Sequence, residues 1–233
     1  MTTVILVRHG LTAMTGPVLA GWTPGVHLDE RGRRQARAVA ERLAPLELDA
    51  IVSSPLERCR ETAAAIAEGR ALTVQTDDRF GECGYGDWTG RPLRELAEEP
   101  LWKVVQAHPS AAVFPGGESL AEVQSRAVRA VRDWNGRLGE KATYLVCSHG
   151  DVIKAIVADA LGLHLDQFQR ITADPASVTV IRYTPLRPFL IRANDVGGGV
   201  ANLVPPPEVS EDRDGGENIT GSDAAVGGGP GTA

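Results

Sequence analysis

The sequence has no surplus of positive charge, no long apolar run and little cysteine, and each shortage removes a class of function. Its 233 residues carry 24 lysines and arginines against 30 aspartates and glutamates, a formal charge of −6. No basic excess is available to neutralise a nucleic-acid backbone. No stretch approaches the roughly 18 apolar residues that a membrane span requires. The chain opens directly into Val4-Ile5-Leu6-Val7 and then Arg8, without the basic region, apolar stretch and small-residue cleavage site of a secretory signal. Three cysteines (Cys59, Cys83, Cys147) form no C-x-x-C pair, which argues against a disulfide scaffold or structural zinc and fits a reducing compartment. A cytoplasmic protein binding neither nucleic acid nor membrane is expected.

The negative charge is unevenly spread. Residues 205–233 hold Glu208, Glu211, Asp212, Asp214, Glu217 and Asp223 against Arg213 alone, which leaves residues 1–204 with a charge of −1. From Gly197 onward the chain has no aromatic residue and clusters glycine, proline and acids. Such a composition buries too little apolar surface to offset the entropy of ordering. Residues 201–233 are therefore expected to be a disordered tail on one domain of residues 1–200, and deleting 205–233 is expected to leave activity intact.

What remains alternates between two periodicities. Thr2–Val7, Asp49–Ser53 and Thr143–Cys147 are short apolar or β-branched runs that read as buried strands. Between and after them lie helical patterns: Asp29–Ala44 with Ala36, Val39, Ala40 and Leu43 on one face, a helix opening at Pro55, Ser119–Leu138, and roughly 150–161. Val178–Tyr183 and Phe189–Arg192 read as further strands. Strand alternating with helix predicts an α/β fold with a mainly parallel sheet covered on both faces.

Ligands of such sheets bind at the carboxyl ends of the strands, and the chemistry of this sequence collects there. The first strand runs into Arg8-His9-Gly10, the second into Ser53-Ser54-Pro55 and then Arg58, and a later one into Ser148-His149-Gly150. Each alone is commonplace: a loop tripeptide, a solvated helix arginine, a helix cap. Together they bring two arginines and two histidines to one rim. Guanidinium forks match phosphate oxygens, and a neutral imidazole can act as nucleophile or acid–base.

The full set of motifs extends this. It comprises Val7-Arg8-His9-Gly10-Leu11-Thr12, Leu28-Asp29-Glu30-Arg31-Gly32-Arg33-Arg34-Gln35-Ala36 and Ser53-Ser54-Pro55-Leu56-Glu57-Arg58-Cys59-Arg60-Glu61-Thr62-Ala63. To these are added Glu82-Cys83-Gly84-Tyr85-Gly86-Asp87-Trp88-Thr89-Gly90, Pro115-Gly116-Gly117-Glu118-Ser119 and Val146-Cys147-Ser148-His149-Gly150. In this order, across residues 2–185, the chain resembles the histidine phosphatase superfamily (branch 1, phosphoglycerate mutase-like). The resemblance implies a three-layer sandwich and a catalytic His9 that is phosphorylated on its imidazole. It implies Glu82 as proton donor, with a pKa raised towards neutrality, and Arg8, Arg58 and His149 as phosphate-binding residues. Neither metal nor cofactor is expected, and the expected partner is a small phosphomonoester. Gly21, Trp22, Thr15 and Gly150 are further candidates for phosphate or lid contacts. Thr15 stands where many members have asparagine, and Leu11 where many have an acid.

Phosphatase and mutase share the machinery as far as phosphohistidine. Residues 91–114, expected to form a lid, mix Arg91, Arg94 and Lys103 with Leu93, Leu96, Leu101, Trp102, Val104 and Val105. That mixture suits a partly apolar phosphomonoester, so a phosphatase is preferred. A phosphomutase is the alternative, and a non-catalytic phospho-ligand binding module is the least favoured reading. The oligomeric state is left open, with a homodimer among the alternatives.

Overall fold

The computed structural model describes residues 1–198 together with Val226, Gly227 and Gly229. The expectation of a disordered stretch at 201–233 lies outside the described residues except at those three, which pack against the body (see below).

Strand β1 (Thr2–Arg8) lies at the centre of the fold. Its side chains alternate between two apolar layers, as a strand buried on both faces requires. Ile5 and Val7 join one layer with Val39 and Leu43, and Val4 and Leu6 join the other with Val123, Val131 and Ile156. Strands β2 (Ala50–Ser53), β3 (Val74–Thr76), β4 (Thr143–Ser148), β5 (Val178–Tyr183) and β6 (Pro188–Asp195) complete one six-stranded sheet in the order β3-β2-β4-β1-β5-β6. The pairs β1–β4, β2–β4 and β2–β3 are parallel, while β1–β5 and β5–β6 are antiparallel. The expected mainly parallel sheet with helices on both faces is thus the observed one. Three-residue β3 was not foreseen, because a run that short carries no readable alternation.

Helices α1 (Glu30–Leu43) and α2 (Glu57–Ala67) cover one face. Asp29 caps α1, its Oδ1 accepting the Gly32 amide at 2.7 Å, and Ala36, Val39 and Leu43 form its buried stripe. Two short helices, α3 (Leu93–Leu96) and α4 (Pro100–Ala107), occupy the segment expected to be a lid. Across the sheet lie α5 (Leu120–Leu138) and α6 (Gly150–Ala160). The start of α5 is set by a capping box between Ser119 and Glu122. Helix α6 is buried almost all round, yet it carries Asp151 and Lys154 inside the protein, 3.3 Å apart.

One contact registers α1 against the loop after β1. A methyl group added to Gly32 would stand 2.0 Å from the Leu11 carbonyl oxygen, and one added to Gly10 would stand 2.6 Å from the Gly32 carbonyl oxygen. Both neighbours are main chain and cannot rotate away. Gly32→Ala is therefore expected to destabilise the fold by about 3 kcal/mol, at the upper end of overpacking, and to displace His9. Urea denaturation checks the first effect, and a wild-type midpoint would contradict it.

Candidate active site

Three parallel strands deliver the site at their carboxyl ends. Arg8 is the last residue of β1 and His9 follows it, with its amide on the Ser148 carbonyl at 3.0 Å. Ser54 follows β2, its amide on the Cys147 carbonyl, and the turn from it leads to Arg58 in the first turn of α2. His149 follows β4 and precedes α6. Glu82 comes from the loop after β3. All five expected residues, Arg8, His9, Arg58, Glu82 and His149, are buried.

The histidine tautomers can be read from their partners. His9 Nδ1 lies 2.7 Å from the Gly10 carbonyl oxygen. A carbonyl only accepts, so Nδ1 carries the proton and Nε2 keeps its lone pair. Burial, reinforced by the Arg58 and Arg8 charges, holds His9 well below the usual imidazole range, so it is neutral. His149 Nδ1 receives Arg58 Nη2 at 3.3 Å, which leaves its Nε2 to donate to Ser54 Oγ at 2.7 Å. Burial and the Arg58 charge likewise keep it neutral. The two rings meet edge to face with centroids 5.2 Å apart.

The guanidiniums face the same region. Arg58 Nη2 also donates to the Gly21 carbonyl at 2.8 Å, while its buried Nη1 has no partner among the described residues. Arg8 Nη1 donates to the carbonyls of Ala173 and Gly229, at 2.8 and 2.7 Å. Glu82 Oε1 accepts the Cys83 amide at 3.0 Å, and Oε2 lies 3.7 Å from His149 Nδ1. Burial, with Asp151 adding to it, lifts this carboxyl to about 7 against the pull of Arg58, the Cys83 amide and Arg8. An acid protonated near neutrality thus stands beside a neutral imidazole and two cations.

Arg8, His9, Arg58 and Glu82 line one cavity with Thr12, Thr15, Gly21 and the apolar Met14, Val18, Leu19 and Leu93. His149 is fully buried against three lining residues, His9, Arg58 and Glu82. Thr15 is on the wall, with its hydroxyl 2.9 Å from that of Thr12. Gly150 is buried at the start of α6, away from the lining. Trp22 also lies off the lining, 40% exposed, and its Nε1 donates to the Glu82 carbonyl at 2.6 Å. Of the expected lid only Leu93 reaches the cavity; Arg91 pairs with Glu99, and Arg94 and Lys103 are exposed.

Several supports went unread in the sequence. Arg126 donates to the Glu82 carbonyl at 2.9 Å and pairs with Glu118, whose Oε2 accepts the Gly84 amide at 2.8 Å. The Pro-Gly-Gly-Glu-Ser motif therefore pins the loop that carries Glu82. Asp151 accepts the Tyr85 hydroxyl at 2.8 Å and pairs with Lys154. An acid and a base three residues apart in the otherwise apolar first two turns of α6 were the available signal.

Strand-end cations, a neutral imidazole and a raised carboxyl define an α/β protein built around an anion pocket. A family model described as the histidine phosphatase superfamily (branch 1) matches residues 4–196, and the chain belongs to that family. It is 36% identical to phosphoserine phosphatase 1 of Hydrogenobacter thermophilus, over 83% of this chain and 92% of that one. With the probable phosphoglycerate mutase GpmB of Yersinia pestis it shares 32%, over 78% and 86%. The solved mycobacterial glucosyl-3-phosphoglycerate phosphatase superposes with a TM-score of 0.76 at 27% identity, covering 83% of this chain and 98% of that one. Family and relatives together make the chain a phosphatase or a phosphomutase. No helix among the described residues is long and apolar enough to cross a membrane.

Proposed function

We propose that the protein hydrolyses phosphomonoesters through a phosphohistidine on His9 without a metal ion. The observation that carries this reading is the Nδ1–H bond from His9 to the Gly10 carbonyl, which leaves a neutral Nε2 on a cavity wall shared with two guanidiniums. In the first step Nε2 forms a bond to phosphorus as the ester P–O bond breaks, and Glu82 gives its proton to the departing oxygen. In the second, Glu82 takes a proton from water as that water attacks phosphorus, and His9 is released with inorganic phosphate. Arg8 and Arg58 stabilise the charge on the equatorial oxygens in both steps. His149 orients Arg58.

Hydrolase is favoured over mutase by the cavity wall. Among the described residues its basic side chains are Arg8 and Arg58, both assigned to the phosphoryl group, and the rest of that described lining offers a substrate carboxylate no further lysine or arginine. A mutase acting on phosphoglycerate needs such a partner. The test is turnover in EDTA of an aryl phosphate, phosphoserine and 3-phosphoglycerate, the last with and without its bisphosphate primer. Loss of all turnover in EDTA would sink the metal-free mechanism, and primer-dependent isomerisation exceeding hydrolysis would establish the mutase.

The proton inventory predicts the pH profile. His9 is neutral across the working range, so it adds no limb near pH 6–7. Glu82 must enter protonated, and its pKa is raised to about 7. For an alkyl phosphate, kcat/KM is therefore expected to fall as pH rises through about 7, tenfold per unit beyond it. An aryl phosphate, whose leaving oxygen needs less proton assistance, is expected to fall less. Glu82→Gln should abolish the alkaline limb; a limb persisting in that variant would show that another group is the acid.

A further inference from the structure

A second occupant already stands at this pocket. Val226 is 2% exposed and belongs to the same apolar layer as Leu19 and Tyr85. The Gly227 amide donates at 3.0 Å to Asp151 Oδ2, the oxygen that also accepts the Tyr85 hydroxyl. The Gly229 carbonyl accepts from Arg8 Nη1 at 2.7 Å. Val226 and Gly227 line the cavity together with His9, Arg58 and Glu82.

This seat is selective for glycine. Gly227 has φ +72°, in the left-handed region, and a methyl group added there would stand 2.7 Å from Leu19 Cδ1. With these residues in place the cavity beside His9 has a volume of about 30 Å³. Since one water needs roughly 10–15 Å³ by this measure, the space holds about two waters. A phosphomonoester does not fit beside it. The Gly229 carbonyl also takes a donor of Arg8 that a phosphoryl oxygen would use.

We propose that the mouth of the pocket is a docking site for the chain's own segment carrying Val226, Gly227 and Gly229, and that this segment excludes phosphomonoesters while seated. The inference rests on the hydrolase reading for what is excluded, though not for the docking itself. Among the described residues, two main-chain hydrogen bonds and one buried valine form the contact. Contacts of that kind are individually modest, so the segment can leave when substrate competes. Only the released fraction binds substrate, and KM is raised by the reciprocal of that fraction while kcat is unaffected. Deletion of the tail, expected from composition to be neutral, would on this reading raise turnover at low substrate.

The test uses two full-length variants. Val226→Asp places a carboxylate in the apolar slot, and Gly227→Ala puts a side chain on a left-handed backbone position and against Leu19 Cδ1. Each is expected to lower KM for an aryl phosphate on the order of tenfold, with kcat within about twofold, and to tighten inorganic phosphate binding by calorimetry by a similar factor. A synthetic peptide of residues 222–233 added to the Val226→Asp protein should restore the higher KM competitively. Unchanged or weaker phosphate affinity in both variants, with no effect of the peptide, would overturn the proposal. Calorimetry separates the two readings. Tighter phosphate binding without hydrolysis in any form would uphold the docking and reject the hydrolase, whereas hydrolysis with unchanged phosphate affinity would do the reverse.

Discussion

His9→Ala is expected to lower aryl phosphate turnover by on the order of 10³ or more while leaving the protein folded. The variant removes the only atom assigned to bond with phosphorus, and residual activity would come from the surrounding cations and proximity alone. Structural damage should be limited, because the ring's hydrogen bond is to the adjacent Gly10 carbonyl. The decisive readout is covalent. Wild-type protein mixed with radiolabelled phosphomonoester and quenched in alkali should carry label on histidine, and His9→Ala should carry none. Labelling retained in the variant would place the nucleophile elsewhere, and full turnover would remove His9 from the mechanism.

Arg58→Ala is expected to cost about 10²–10³ in kcat, the range for losing a preorganised donor to developing negative charge. Arg58 has one nitrogen committed to the Gly21 carbonyl and His149, and a second, Nη1, with no partner among the described residues. Lysine is expected to rescue little, since a single ammonium cannot make both sets of contacts. A merely structural arginine would lower activity uniformly across pH. Here the removed charge depresses both His9 and Glu82, so the alkaline limb set by Glu82 should move to higher pH. An unshifted limb would mean that Arg58 acts too far from Glu82 to belong to the same site.

The two halves of the site differed in how well they could be read from sequence. Arg8, His9 and Arg58 are legible because each sits within a few residues of a strand end, and the strands announce themselves as short apolar runs. Local order then implies spatial convergence. Glu82 was legible only through resemblance, because its position depends on Trp22 and on the Glu118–Arg126 pair, contributed by two distant parts of the chain. His149 was expected on the phosphate from the third strand end; its ring packs edge to face on His9 and its Nδ1 takes Arg58 Nη2 at 3.3 Å. In the segment expected to form a lid, helix amphipathicity turns Leu96, Trp102 and Val105 inward and leaves Arg94 and Lys103 exposed. Composition treated the glycine-rich end only as poor in burial. It had no means of registering that residues without side chains can enter a narrow slot and bond through their main chain.

The neighbours of β1 carry a consequence for synthesis. This first strand pairs Thr3 with Thr143 on one side and Thr2 with Tyr183 on the other. A ribosome delivering the chain from its amino end releases the strand that leads into His9 long before either partner exists. Until then both of its edges stand open and its apolar faces, Val4 to Val7, are uncovered. Such distant pairings slow folding and prolong the interval in which a chain can associate wrongly. Residues near 180 must emerge before the strand that leads into His9 is enclosed on both edges, so the proposed site is completed late in translation.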